Sequence, residues 1–182
     1  MVLVNEDVYN GLANEYDLLY AAGEFKAEDT SLFRYLERLI ELPVLDVGCG
    51  TGLVLEHLDL DPKDYYGVEP SQGMADRLHE KFPEHGVFEG AFEHLLIPTG
   101  STTLALYGSA SYVSPSSWEK LKDGCPNYFL MFYAPGYTPV NYGPETVNRV
   151  PKVDYAAVAN AFPRTYPWHN YVIASNLPGA PE

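Results

Sequence analysis

Cations are scarce in this chain of 182 residues: 11 lysines and arginines stand against 25 aspartates and glutamates, a formal net charge of −14. Phosphate backbones are held by clustered Lys and Arg, and the densest group here, Arg77, His79 and Lys81, is interleaved with Asp76 and Glu80. A nucleic acid and an anionic membrane surface are therefore both disfavoured as partners. Cysteine is nearly missing as well. Cys49 and Cys125 fit neither metal-ligand nor C-x-x-C redox spacing, so both are expected to be reduced thiols in a cytoplasmic protein. No His, Cys and Asp grouping suggests a metal. The longest apolar run, Tyr128 to Ala134, is too short to span a bilayer. The stretch from Met1 to Asp7 lacks the basic segment and apolar core of a signal peptide, and none is expected.

What the chain does have is tyrosine, 15 of them, expected as core and cleft-lining rings. Its length suits one domain, 1–182, with a helical cap over 1–40, a core over 41–175 and a frayed polar tail over 176–182. Strands alternate with helices, which predicts an α/β, doubly wound, mostly parallel sheet with helices on both faces. The informative stretch is Val44 to Gly52, VLDVGCGTG. Its apolar run is a buried parallel strand broken by Asp46, and it passes into glycines at 48, 50 and 52. Glycine there permits a tight turn and lets a ligand lie against bare main chain. The dinucleotide fingerprint G-x-G-x-x-G is not met, because its third glycine position holds Leu53. Tyr65 to Pro70, YYGVEP, is the next strand. Its acid, Glu69, comes 19 residues after Gly50, where a carboxylate can accept hydrogen bonds from both hydroxyls of a ribose.

The remaining elements follow in order. Residues 6 to 20 are expected as a helix, then a second capped by Asp29 or Thr30, with Leu32, Phe33, Leu36, Leu39 and Ile40 as its stripe. Pro43 stops it before the first strand. A brief helix opens at Thr51, and Ser71 to Lys81 is a crossover helix with Met74 and Leu78 inside. Strands are expected at Val87 to Glu89, Thr102 to Tyr107 and Asn127 to Tyr133, and Ser114 with Pro115 starts another helix. The Pro- and Tyr-bearing loop 134–151 is expected to wall a pocket. A helix over Asp154 to Phe162 and two strands turning at Pro167-Trp168 complete the chain.

The G-x-G-x-G turn with its acid a strand later resembles motif I and the following strand of the class I S-adenosylmethionine (AdoMet) methyltransferases, small-molecule type. The run Tyr9 to Asp17 resembles the Y-D-x-x-A-x-x-Y-D entrance segment of that family, with Asn10 in place of the first Asp. The resemblance implies a Rossmann-like methyltransferase fold, a seven-stranded sheet whose last strand is antiparallel, with AdoMet as cofactor. It assigns to the cofactor Asp46, Gly48, Cys49, Gly50, Gly52, Glu69, Pro70, Met74, Phe92, Glu93 and Tyr107. The family's acid for the adenine amino group falls at Ala91, so Glu93 or the backbone of Phe92 is expected to serve. Where the acceptor needs a general base, the candidates are His169, Tyr16 and Tyr133. The expected activity is in-line transfer of the sulfonium methyl to O, N or C of a small-molecule acceptor. A non-catalytic AdoMet-binding regulatory or scaffolding protein is the alternative.

Overall fold

The computed structural model describes residues 6–19, 23–95, 102–124, 126–137 and 151–181. Seven strands form one sheet, β1 (Val44–Val47), β2 (Tyr65–Glu69), β3 (Gly86–Glu89), β4 (Thr102–Ala105), β5 (Asn127–Tyr133), β6 (Thr165–Trp168) and β7 (Tyr171–Ser175), in the order β3-β2-β1-β4-β5-β7-β6. The first five pair in parallel. β7 runs antiparallel to both β5 and β6. Strand order reverses between β1 and β4, and in such sheets ligands bind beyond the carboxyl ends of the strands at that crevice.

Both faces of the central strands are covered, which is why β1, β4 and β5 are buried along their length rather than alternating, while the edge strands β3 and β6 are largely exposed. On β5, Phe129 and Met131 join a cluster with Leu32, Phe33 and Leu36 of α3 (Gly23–Glu37), while Leu130 and Phe132 face the other way. That second cluster holds Trp118 and Leu121 of α6 (Trp118–Gly124), Val158 of α7 (Tyr155–Ala161) and Phe162 just beyond it. α4 (Leu53–His57) and α5 (Gln72–Lys81) connect β1 to β2 and β2 to β3. Ser71 caps α5, its Oγ accepting from Met74 N at 3.4 Å. Asp154 caps α7 through Ala157 N at 2.9 Å.

Several local expectations are corrected. The helix expected over 6–20 is two pieces, α1 (Glu6–Leu12) and α2 (Tyr16–Leu19), separated by a turn at Ala13 to Glu15. α3 starts at Gly23, so Asp29 and Thr30 lie inside it and cap nothing; Thr30 Oγ1 donates to Lys26 O at 2.7 Å. α4 begins at Leu53 rather than Thr51, because Gly52 is left-handed at φ 97°. Ser114 makes no side-chain cap and bonds instead to the hydroxyls of Ser116 and Ser117. The β6–β7 turn falls at His169-Asn170, not Pro167-Trp168, since Trp168 still pairs with Tyr171. The tail is docked rather than frayed: Leu177 is buried, Asn176 bonds Tyr128 N and Pro126 O, and the Arg164 guanidinium donates to the carbonyls of Leu177 and Gly179. Cys125 and most of the 134–151 loop, Tyr142 included, lie outside the described residues.

Candidate functional site

The glycine turn leaves the tip of β1 with Gly48 at φ 75° and Gly50 at φ 54°. Its first two amides, of Gly48 and Cys49, donate to Val68 O of β2 at 2.8 and 3.1 Å, so the turn is pinned to the neighbouring strand. An added Cβ at Gly48 would stand 2.7 Å from Ser109 Oγ, whereas one at Gly50 would meet nothing within 4 Å. Gly48 is therefore required by packing. Gly50 is left with bare main chain facing open space.

Glu69, at the tip of β2, aims its carboxylate at this turn. Gly50 N donates to Oε2 at 2.9 Å and Ser71 N to Oε1 at 2.9 Å. Each carboxylate oxygen has two lone pairs, so both retain acceptor capacity for the adjacent hydroxyls of a ribose. Burial pushes the Glu69 carboxyl up to about 7, held back by the two amides. Beneath the turn, Asp46 accepts from Tyr65 Oη at 3.0 Å. Burial pushes Asp46 up to about 7 as well, the Tyr65 bond opposing the rise and the Glu69 charge adding to it. Burial also raises the Cys49 thiol well above its ordinary value, which suits a small packing residue and not a nucleophile.

These groups line a cleft of about 1090 Å³, part of it open to solvent. Of the residues expected to hold cofactor, Asp46, Gly48, Cys49, Gly50, Glu69, Pro70, Met74, Phe92, Glu93 and Tyr107 all border it. Gly52 does not; it packs against Phe82 and Leu78, where a Cβ would stand 3.0 Å from the Phe82 ring. Met74 and Phe92 are almost fully buried. Glu93 Oε1 accepts from Ser114 N at 3.0 Å, and Ala91, at the position of the family's adenine acid, also borders the cleft.

Of the three base candidates, Tyr16 and Tyr133 border the cleft and His169 does not. His169 occupies the hairpin turn at φ 49°, edge-on to Trp168, with Nδ1 3.5 Å from Glu28 Oε1 on α3. β7 begins with Tyr171 paired to Tyr133 at the end of β5, but His169, two residues earlier in the turn, does not border the cleft. Burial pushes the Tyr133 phenol well up, so at neutral pH it is an undissociated hydroxyl.

Sequence reasoning missed the partners that hold the site together. Asn10 Oδ1 accepts from Ser71 Oγ at 2.9 Å and Gly73 N at 2.8 Å, and Asp17 Oδ1 accepts from Thr51 Oγ1 at 2.5 Å. Both acceptors lie in the Tyr9 to Asp17 run, so the motif marked the segment but not its contacts. The Tyr107 hydroxyl donates to the buried Asp29. A buried acid on an otherwise apolar helix face was the available signal for that pair.

Residues 44–125 match the family model described as methyltransferase domain. Over that stretch the chain is similar to a methyltransferase domain. A SAM-dependent methyltransferase from Aquifex aeolicus superposes with a TM-score of 0.62 at 14% identity, over 91% of this chain and 97% of that one. For a SAM-dependent methyltransferase from Leishmania major the values are 0.61, 13%, 94% and 80%. For magnesium protoporphyrin IX methyltransferase from Synechocystis PCC 6803, solved with bound SAM, they are 0.59, 16%, 84% and 79%. Likeness at such identity shows the methyltransferase fold. Other matched structures are longer, and this chain spans 60%, 61%, 58% and 63% of their lengths. No curated protein matches the sequence.

Proposed function

We propose that this protein transfers the methyl group of AdoMet to a small-molecule acceptor bound beside it in the methyltransferase cleft. The observation that carries this reading is the Glu69 carboxylate set against Gly50 N at the junction of β1 and β2. The lining suits an adenosine: Glu69 would accept from its ribose hydroxyls, and Met74, Phe92 and Glu93 would hold its base. AdoMet supplies an activated methyl, and the protein's task is to align the acceptor with it. Orientation of that kind supplies roughly 7 kcal/mol or more in the best cases.

Tyr133 and Tyr16 are acceptor-side residues in this reading. The undissociated Tyr133 hydroxyl orients the acceptor by hydrogen bonding rather than taking its proton, and His169 is left out of the reaction. Among the described residues no helix is long and apolar enough to cross a membrane. The free Cys49 thiol and the acidic charge support a cytoplasmic location and an acceptor other than nucleic acid. Ala91, in place of the family's adenine acid, favours the second reading, a non-catalytic AdoMet binder.

Calorimetric titration with AdoMet and S-adenosylhomocysteine tests the site. Both ligands should bind, and Glu69→Ala should weaken them by about 1.5–3 kcal/mol, the loss for hydrogen bonds to a charged group. Unchanged affinity in the variant would remove Glu69 from the site. Release of S-adenosylhomocysteine with an acceptor panel then separates an enzyme from a binder.

A further inference from the structure

One part of the cleft is built by the tips of β4 and β5 and by the N-terminal helices. Beside Leu106, Ser109 and Val113 it carries five tyrosines: Tyr9 and Tyr16 from α1 and α2, Tyr107 and Tyr112 after β4, and Tyr133 at the end of β5. Tyr9 and Tyr16 meet at 64° with centroids 6.3 Å apart, and Tyr112 and Tyr133 at 76° and 6.2 Å. Tyr112 links the two pairs, its hydroxyl lying 3.3 Å from that of Tyr9 while its ring meets that of Tyr133. The Tyr133 ring is itself fixed, stacked on Tyr137 at 5.0 Å and 9° and pressed against Gly108, where a Cβ would fall 2.3 Å from the ring. The compartment therefore presents phenol oxygens and ring faces in set positions. Among the described residues bordering the cleft, the groups that carry formal charge are the carboxylates of Asp46, Glu69 and Glu93.

Such a lining distinguishes acceptors by charge. Ring faces and oxygen lone pairs repel an anionic nucleophile, so such a lining binds an anionic acceptor poorly. An uncharged amine takes the positive charge over. Groups that attract a cation beside the nitrogen are then stronger in the transition state than before it, which is the condition for catalysis. Aromatic faces attract a desolvated cation by up to about 2 kcal/mol.

We infer that the acceptor is a small organic amine without phosphate or carboxylate, bound with its nitrogen among Tyr9, Tyr16, Tyr112 and Tyr133. This rests on the methyl-transfer reading above. The nitrogen lone pair forms the new N–C bond as the S–C bond breaks and its electrons return to sulfur; the proton of the resulting ammonium goes to water.

The test is direct binding to the full chain saturated with S-adenosylhomocysteine, read by calorimetry, using phenyltrimethylammonium, benzoate and phenyl phosphate. The ammonium should bind at least about ten-fold more tightly than either anion. Tyr112→Leu should weaken the ammonium at least about ten-fold more than it weakens S-adenosylhomocysteine. Equal or tighter binding of an anion, or no binding of the ammonium, overturns the inference and leaves the cofactor site standing. Failure of S-adenosylhomocysteine itself to bind overturns the methyl-transfer reading, and this inference with it.

Discussion

Two carboxyls set the acid–base character of the site. Asp46 and Glu69 rise from 3.8 and 4.5 to about 7, so the folded state holds their protons more tightly than the unfolded chain does. Their contribution to stability is complete below the unfolded values and is lost as pH rises through about 7. The urea midpoint of the ligand-free protein should accordingly be higher at pH 6 than at pH 8. Asp46→Asn, which cannot ionise, should reduce that difference; a variant with the wild-type pH dependence would show that Asp46 is not one of its sources. Glu69 and the glycine turn were legible in the sequence because both are local signatures: a strand tip, a turn and a fixed spacing. His169 was misjudged for the converse reason. Its neighbour in space, Glu28, is known only once α3 is laid over the hairpin.

At the scale of elements, the site depends on how separate helices are tied to the strand tips. α1 is held over the start of α5 by Asn10, which accepts from both Ser71 Oγ and Gly73 N. Asn10→Ala removes two neutral hydrogen bonds, about 0.5–1.5 kcal/mol each. Because they fasten a covering segment and not the core, S-adenosylhomocysteine should dissociate several-fold faster in stopped flow while the melting temperature changes little. α3 is tied to the end of β4 by the Tyr107 hydroxyl on Asp29. Asp29→Ala and Tyr107→Phe should each lower unfolding stability by about 1.5–3 kcal/mol, as for a hydrogen bond to a charged group. The double variant should lose less than the sum, since the two residues share one bond. Additive losses would mean that the pair does not act as a unit. Helix ends were the poorest of the sequence expectations here. Asp29 and Thr30 resemble N-caps until the turn before them is seen to be helical too, and Gly52 moves the start of α4 by adopting a left-handed conformation.

For the whole molecule, the dominant long-range term is self-repulsion from a net charge of −14. Screening weakens it, so the melting temperature should rise between about 20 and about 300 mM sodium chloride, where the Debye length falls below about 10 Å. A constant or falling melting temperature would show that local ion pairs, such as Lys81 with Asp17 and Glu56, outweigh the net field. The sequence by itself determined the sheet's composition, the glycine turn, Glu69 and the acidic balance. Each depends on neighbours along the chain or on simple sums, and apolar runs as short as β5 identify a strand buried on both faces. Only the tertiary structure decided which tyrosines share one compartment, where His169 points, that the tail is docked, and what Asp29 and Asn10 bond to. Those facts depend on strand order, β4 inserted beside β1 and β7 turned back beside β5, which brings residues as far apart as Tyr9 and Tyr112 to 3.3 Å. Spacing along the chain carries no record of that distance.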